Sequence, residues 1–172
     1  MDFSSVRIQN CKLISDKINT YVLSAENLDA IADNSIDLYI STQVMEHVDD
    51  KAMISEIGRV CKKGALIYIT TVYKKPWAWY YYKNDKGCTV LDPTHLREYT
   101  ADEQLLSFFD PKRYNIIHNQ KEMHFFPVVD FFLRRLPITN FSKYNNAAIK
   151  MLRYIKLPIF GYYEWTIVLR KE

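Results

Sequence analysis

Ser35-Ile36-Asp37-Leu38-Tyr39-Ile40-Ser41-Thr42-Gln43-Val44-Met45-Glu46-His47-Val48 is the stretch on which the reading of this chain turns. Its apolar first half reads as a buried strand. The strand ends in small polar residues and passes into a loop that carries an acid and a histidine. Further on, Val60-Cys61-Lys62-Lys63-Gly64-Ala65-Leu66-Ile67-Tyr68-Ile69-Thr70 reads as a helix end, a glycine and a second strand. Ligands of open α/β sheets bind outside the carboxyl ends of the strands. Ser41, Thr42 and Gln43 are therefore expected at a site. An absence is equally informative: the chain has 4 glycines, Gly58, Gly64, Gly87 and Gly161, and no two lie close enough to form a glycine-rich loop.

Working outward, residues 4–16 read as a helix capped by Ser4 or Ser5, with Val6, Asn10, Leu13 and Ile14 on a mainly apolar stripe. Tyr21-Val22-Leu23 reads as a short strand and Ile36–Ser41 as the next. Asp49 or Asp50 is expected to cap a helix running to about Val60, with Ala52, Met53, Ile57 and Val60 facing inward. Gly64 is expected to end that helix as a left-handed cap. Ala65–Val72 is bulky throughout, as in a strand covered on both faces. Helices alternating with apolar strands indicate a mostly parallel sheet. In the second half, Thr100 is expected to cap a helix to about Phe109, Tyr114–His118 reads as a short strand, Phe126–Leu136 and Tyr144–Ile155 read as helices, and Glu164–Arg170 as a final strand.

At 172 residues the chain is long enough for one domain with a real core, and 48% of it is apolar. A formal net charge of +3 with no arginine-rich stripe argues against nucleic acid. Cys11, Cys61 and Cys88 are an odd set without CxxC spacing, which argues against a disulfide framework or zinc site and for a reducing cytoplasm. No signal peptide and no membrane-spanning run is apparent.

The order Ile36-Asp37-Leu38, Val44-Met45-Glu46-His47-Val48 and Glu56-Ile57-Gly58-Arg59-Val60-Cys61-Lys62-Lys63-Gly64-Ala65 resembles the class I S-adenosylmethionine-dependent methyltransferases, in particular the bacterial small-molecule group. The resemblance is strong over residues 24–72 and departs at Lys63 and Ala65, where that family prefers Pro and Gly. Asp92-Pro93-Thr94-His95-Leu96-Arg97-Glu98-Tyr99-Thr100 resembles the segment before the family's next helix. The implied fold is α/β and Rossmann-like, with a mostly parallel sheet and an antiparallel C-terminal strand. Met1-Asp2-Phe3-Ser4 resembles the tail of the family's second strand. The family's first strand, glycine loop and first helix have no counterpart in the 172 residues. The resemblance thus implies an N-terminally truncated methyltransferase domain over 1–172, with an acceptor-side or lid segment at 73–100 and a helical insertion at 120–160.

The resemblance also assigns roles. Asp2 is the candidate ligand of the ribose hydroxyls, against a disordered terminal residue. Ser24, Ala25 and Glu26 fall where the family meets adenine, although Ser24 replaces the usual Asp; the alternative is a polar turn. Ser41, Thr42 and Gln43 would face the methionine half of S-adenosyl-L-methionine. His47 is a candidate base, since imidazole titrates near neutrality, against a loop fixed by Glu46 and His47 through hydrogen bonds. Asp92 and His95 are a candidate base and orienter, against a turn and a packing residue. No ligand spacing around His47 or His95 suggests a metal.

The function expected from this reading is methyl transfer from S-adenosyl-L-methionine to a small acceptor. Trp77, Trp79, Tyr80, Tyr81 and Tyr82, mixed with lysines, make a sugar or lipid-linked glycan the first acceptor class. The alternatives are an inactive fragment or pseudoenzyme that binds a partner, with self-association through exposed sheet edges, and a membrane-surface protein using Phe125–Arg135.

Overall fold

A computed structural model of the chain describes residues 1–15, 17–80, 82–133 and 146–172. Its elements are α1 (Ser5–Ile14), β1 (Ile36–Thr42), a 3-10 turn (Met45–His47), α2 (Asp50–Val60), β2 (Cys61–Lys74), β3 (Tyr82–Lys83), β4 (Thr89–Val90), α3 (Glu103–Leu106), β5 (Tyr114–Pro127), α4 (Val128–Leu133), α5 (Ala147–Leu152) and β6 (Lys156–Lys171). The main sheet has the order β1-β2-β6-β5. β1 is parallel to β2, while β6 is antiparallel to both β2 and β5. Three strands therefore share one direction and the C-terminal strand opposes them, as the sequence predicts.

α2 forms where the caps and the apolar spacing agree. Asp49 accepts from the backbone N–H groups of Lys51 and Ala52, and Met53, Ile54, Ile57 and Val60 are buried on one face. They pack against Ile67 and Ile69 of β2 and Ile167 and Leu169 of β6. Burying side chains of this size contributes about 1.5–3 kcal/mol each. Trp165 of β6 is fully buried beside Tyr73 and Tyr99, and its ring N–H donates to Asn119 Oδ1 at 2.6 Å. At the other end of α2, the Lys171 ammonium donates to the carbonyls of Gly58 and Cys61 and to Asn34 Oδ1. A cation there satisfies orphan carbonyls and opposes the helix dipole.

Several expectations are corrected. α1 starts at the expected cap, Ser4, but Val6, Asn10, Leu13 and Ile14 point outward and Ile8 is the buried residue. Tyr21–Leu23 contributes a single bridge, Asp2 to Val22, rather than a ladder. β1 is half covered, not buried: it lies at the edge of the sheet, with Leu38 53% and Ile40 62% exposed. Gly64 does not cap α2. Cys61 becomes extended at once and ends the helix, and Gly64, at φ +84°, sits in the irregular step of β2 between Cys61 and Leu66.

The second-half strands are longer than predicted. β5 runs on through Asn119-Gln120-Lys121-Glu122 to Pro127 because an edge strand tolerates polar side chains and a terminal proline. β6 begins already at Lys156. Among the described residues, the helical part of the 120–160 segment consists of α4 and α5; residues 134–145, including Arg134 and Arg135 of the expected membrane-facing run, lie outside the described residues. α3 is shorter than Thr100–Phe109, and Thr100 does not cap it; instead the Gln104 side chain reaches back to accept the N–H groups of Thr100 and Ala101, ahead of the helix. Among the described residues no helix is long and apolar enough to cross a membrane.

Candidate functional site

β1 ends at Thr42, and Gln43 turns the chain away from the sheet with φ +52°. Its N–H donates to the Thr70 carbonyl at 2.9 Å, so the turn stays anchored to β2. A non-glycine residue in this region costs roughly 1–2 kcal/mol, and such residues cluster at functional sites. The turn opens a cavity of about 700 Å³ beyond the carboxyl end of β1. Asp2, Ala25, Ser41, Thr42, Gln43 and His47 are among its lining residues.

Asp2 reaches the cavity because its N–H donates to the Tyr21 carbonyl and it bridges to Val22. The backbone N–H of Ser4 holds its carboxyl below the usual carboxylate range, helped by Arg7, whose guanidinium lies 3.2 Å away. Ser24 and Glu26 do not line the cavity. Ser24 Oγ accepts the Glu26 N–H in a local turn, and Glu26 Oε1 accepts the Asp49 N–H at 2.6 Å, at the start of α2.

A second wall begins at the 3-10 turn. Glu46 is fully buried; its Oε2 accepts from Thr71 Oγ1 at 2.9 Å, and Oε1 has no hydrogen-bond partner. Burial pushes its pKa up, with the Thr71 hydrogen bond opposing. His47 meets the Thr94 carbonyl and hydroxyl through Nδ1, at 3.3 and 3.1 Å. The His47 and His95 rings meet edge to face with centroids 4.7 Å apart. His95 is buried, and its Nδ1 pairs with Glu98 Oε1 at 2.7 Å. Glu98 in turn faces Lys74 at 3.2 Å. Asp92, the expected partner of His95, instead accepts from the hydroxyl and N–H of Thr94 at 2.7 and 2.9 Å. Burial alone would raise the Asp92 pKa, but these two bonds outweigh it and the net shift is downward. Neither Asp92 nor His95 lines the cavity; they stand behind His47.

Residues 1–69 match the methyltransferase domain family. Among solved structures, a putative methyltransferase from Bacillus halodurans C-125 superposes with a TM-score of 0.62 at 13% identity, covering 99% of this chain and 80% of that one. The chain has the fold of the class I S-adenosylmethionine-dependent methyltransferases. A geranyl diphosphate methyltransferase in complex with S-adenosylmethionine shares this methyltransferase fold, with a TM-score of 0.58, 11% identity and coverage of 99% and 67%. So does the cyclase SpnF, with a TM-score of 0.63 at 18% identity; the match covers 98% of this chain and only 64% of SpnF. A cyclase on the methyltransferase fold shows that the fold by itself does not name the reaction. No curated protein sequence matches the chain.

Within the methyltransferase fold, three residues that sequence reasoning passed over hold the site together. Arg59 pairs with Glu56 and donates to the carbonyls of Leu28 and Ile31, while Glu56 accepts the Leu28 N–H; together they pin the loop carrying Ala25 to α2. Arg97 donates to the carbonyls of Met45 and Val48 and pairs with Asp50, so the segment after Asp92 is bolted to the 3-10 turn. Glu98 orients His95. Arg59, Arg97 and the local Glu56–Arg59 pair lie within the motif segments; the bonds of Arg59 to Leu28 and Ile31 and of Arg97 to Met45, Val48 and Asp50 were not legible, because they cross between distant segments.

Proposed function

We propose that this chain serves the transfer of a methyl group from S-adenosyl-L-methionine to a small hydroxyl-bearing acceptor. The observation that carries the reading is the convergence of Asp2, Ala25 and Ser41–Gln43 on one cavity beyond the carboxyl end of β1. In this reading Asp2 accepts hydrogen bonds from the ribose hydroxyls, Ala25 lies against adenine, and Ser41–Gln43 face the methionine half. His47, backed by Thr94, Asp92 and His95, forms the acceptor side. Bound there, S-adenosyl-L-methionine would supply the methyl group: the acceptor oxygen would form its bond to the methyl carbon as the carbon–sulfur bond breaks, S-adenosylhomocysteine would leave, and the acceptor proton would pass to water or to His47. The chain's contribution is mainly alignment. Trp77 and Trp79 are 66% and 71% exposed, which supports a carbohydrate as the acceptor class. Three free cysteines support a reducing, cytoplasmic setting.

Titration of the isotope-labelled chain with S-adenosylhomocysteine, followed by NMR, tests this. The amide signals of Ala25 and Ser41–Gln43 are expected to move together, even where affinity is only millimolar. Shifts confined to other regions, or none, would sink the reading.

A further inference from the structure

We propose that Glu46, His47 and His95 form a divalent-cation site on the acceptor side of the cavity. Each offers one ligand atom, and these atoms all lie within 4.8 Å of one another. Ligands at bond lengths of ~2.1 Å around a tetrahedral ion sit about 3.4 Å apart, so closure requires movements of roughly an ångström, within the reach of side-chain rotation. Two further observations point to a ligand. Glu46 is fully buried, and while Oε2 is held by Thr71, Oε1 has no partner. A buried carboxylate oxygen left unpaired is costly unless something charged or hydrogen-bonding completes it. Each imidazole, moreover, has its Nδ1 occupied by an oxygen: His95 by the Glu98 carboxylate at 2.7 Å, and His47 by the Thr94 carbonyl and hydroxyl. Such outer partners fix the tautomer and turn Nε2 towards a metal.

Two imidazole nitrogens and one carboxylate oxygen suit a borderline ion such as Zn²⁺, Mn²⁺, Fe²⁺ or Co²⁺, and three protein ligands leave a coordination position open. That position lies next to His47, the member of the cluster on the cavity wall. A cation there would bind the acceptor oxygen and favour loss of its proton. This role rests on the methyl-transfer reading; the cation site itself does not.

The 172-residue chain, dialysed against chelator, is titrated with Co²⁺ and followed by visible absorption. A saturable d–d band at one ion per chain is expected, with displacement by Zn²⁺. His47→Gln, on the solvent-accessible member, should weaken Co²⁺ binding at least tenfold while leaving the far-ultraviolet circular dichroism unchanged. His95→Gln should do the same if it folds. A folded chain without a band at millimolar Co²⁺ overturns the proposal. So does a band unchanged in His47→Gln, which would assign binding to His118 or His124. Both results are read without S-adenosylhomocysteine, so they are distinguishable from failure of the cofactor titration.

Discussion

The two walls of the cavity are built differently. The wall of Asp2, Ala25 and Ser41–Gln43 is made of short local segments, backbone turns and one residue held at positive φ. Its carboxylate is half-buried and paired with an exposed arginine. The opposite wall, at His47 and Val48, is backed by a largely buried polar network of Glu46, Thr71, Lys74, His95, Arg97 and Glu98, which do not themselves line the cavity and come from three separate segments of the chain. The difference teaches where rigidity resides. Exposed ion pairs contribute roughly 0–1 kcal/mol, whereas members of a buried network cannot be removed singly without stranding their partners. The first wall is suited to yield to a ligand, and the second to hold its shape.

Four experiments break or sharpen that contrast. The largest expected effect is from Arg97→Ala, which takes the guanidinium from the carbonyls of Met45 and Val48 and leaves buried Asp50 without its cation. Chemical denaturation should show a loss of about 3 kcal/mol, the low end of what breaking a buried pair costs. The NMR signals of Ala25 should hardly move; a general collapse of both walls would erase the distinction between them.

Thr71→Val keeps the side-chain shape and removes the donor to Glu46 Oε2. Stranding a buried carboxyl oxygen should lower stability by roughly 1–3 kcal/mol. An unchanged denaturation midpoint would mean that Glu46 is satisfied in some other way.

Gln43→Gly tests the strained wall. Relief of the left-handed backbone, offset by glycine's extra freedom in the unfolded chain, should change stability by no more than about 1 kcal/mol, and upward. A clear loss in the thermal midpoint would show that the Gln43 side chain, whose amide lies 3.4 Å from Thr70 Oγ1, matters more than its backbone.

The smallest effect concerns acid. Asp2 and Asp92, one on each side, both have pKa values held below the usual 3.8, so each is more readily ionised in the folded than in the unfolded chain. The unfolded chain then takes up protons first as pH falls. The stability these groups contribute is present above pH 3.8 and is lost as pH drops through their folded values. Asp92→Asn should flatten the acid limb of a stability-against-pH curve more than Asp2→Asn, because Asp2 is more solvent-screened. Equal flattening would place both carboxylates in the same kind of environment.

The sequence reading succeeded where signals are local. The α2 boundaries followed from Asp49 and the spacing of Met53, Ile57 and Val60, and the end of β1 followed from the change to Ser41-Thr42-Gln43. Five of the seven expected cofactor-facing residues line the cavity. Ser24 and Glu26 do not, because a turn bond and the Asp49 amide claim their side chains. The reading stopped too early along β5, where polar residues masked a strand that needs only one neighbour, and it buried the α1 stripe that the fold leaves outside.

By itself, the sequence determined the alternation of helix and strand from Ile36 to Val72, the direction of the C-terminal strand through family resemblance, and the polar end of β1 at which the cavity lies. These follow from periodicity, caps and the geometry of strand ends, all carried by neighbouring residues. Only the tertiary structure decided that His47 and His95 meet edge to face, that Glu98 rather than Asp92 orients His95, and that Lys171 closes the end of α2. The meeting of His47 with His95 and the reach of Lys171 depend on the crossing of β1, β2 and β6 and on the docking of the segment after Asp92, which no local pattern encodes; Glu98 and Asp92 stand equally far from His95 in sequence, three residues on either side, so spacing alone does not choose between them.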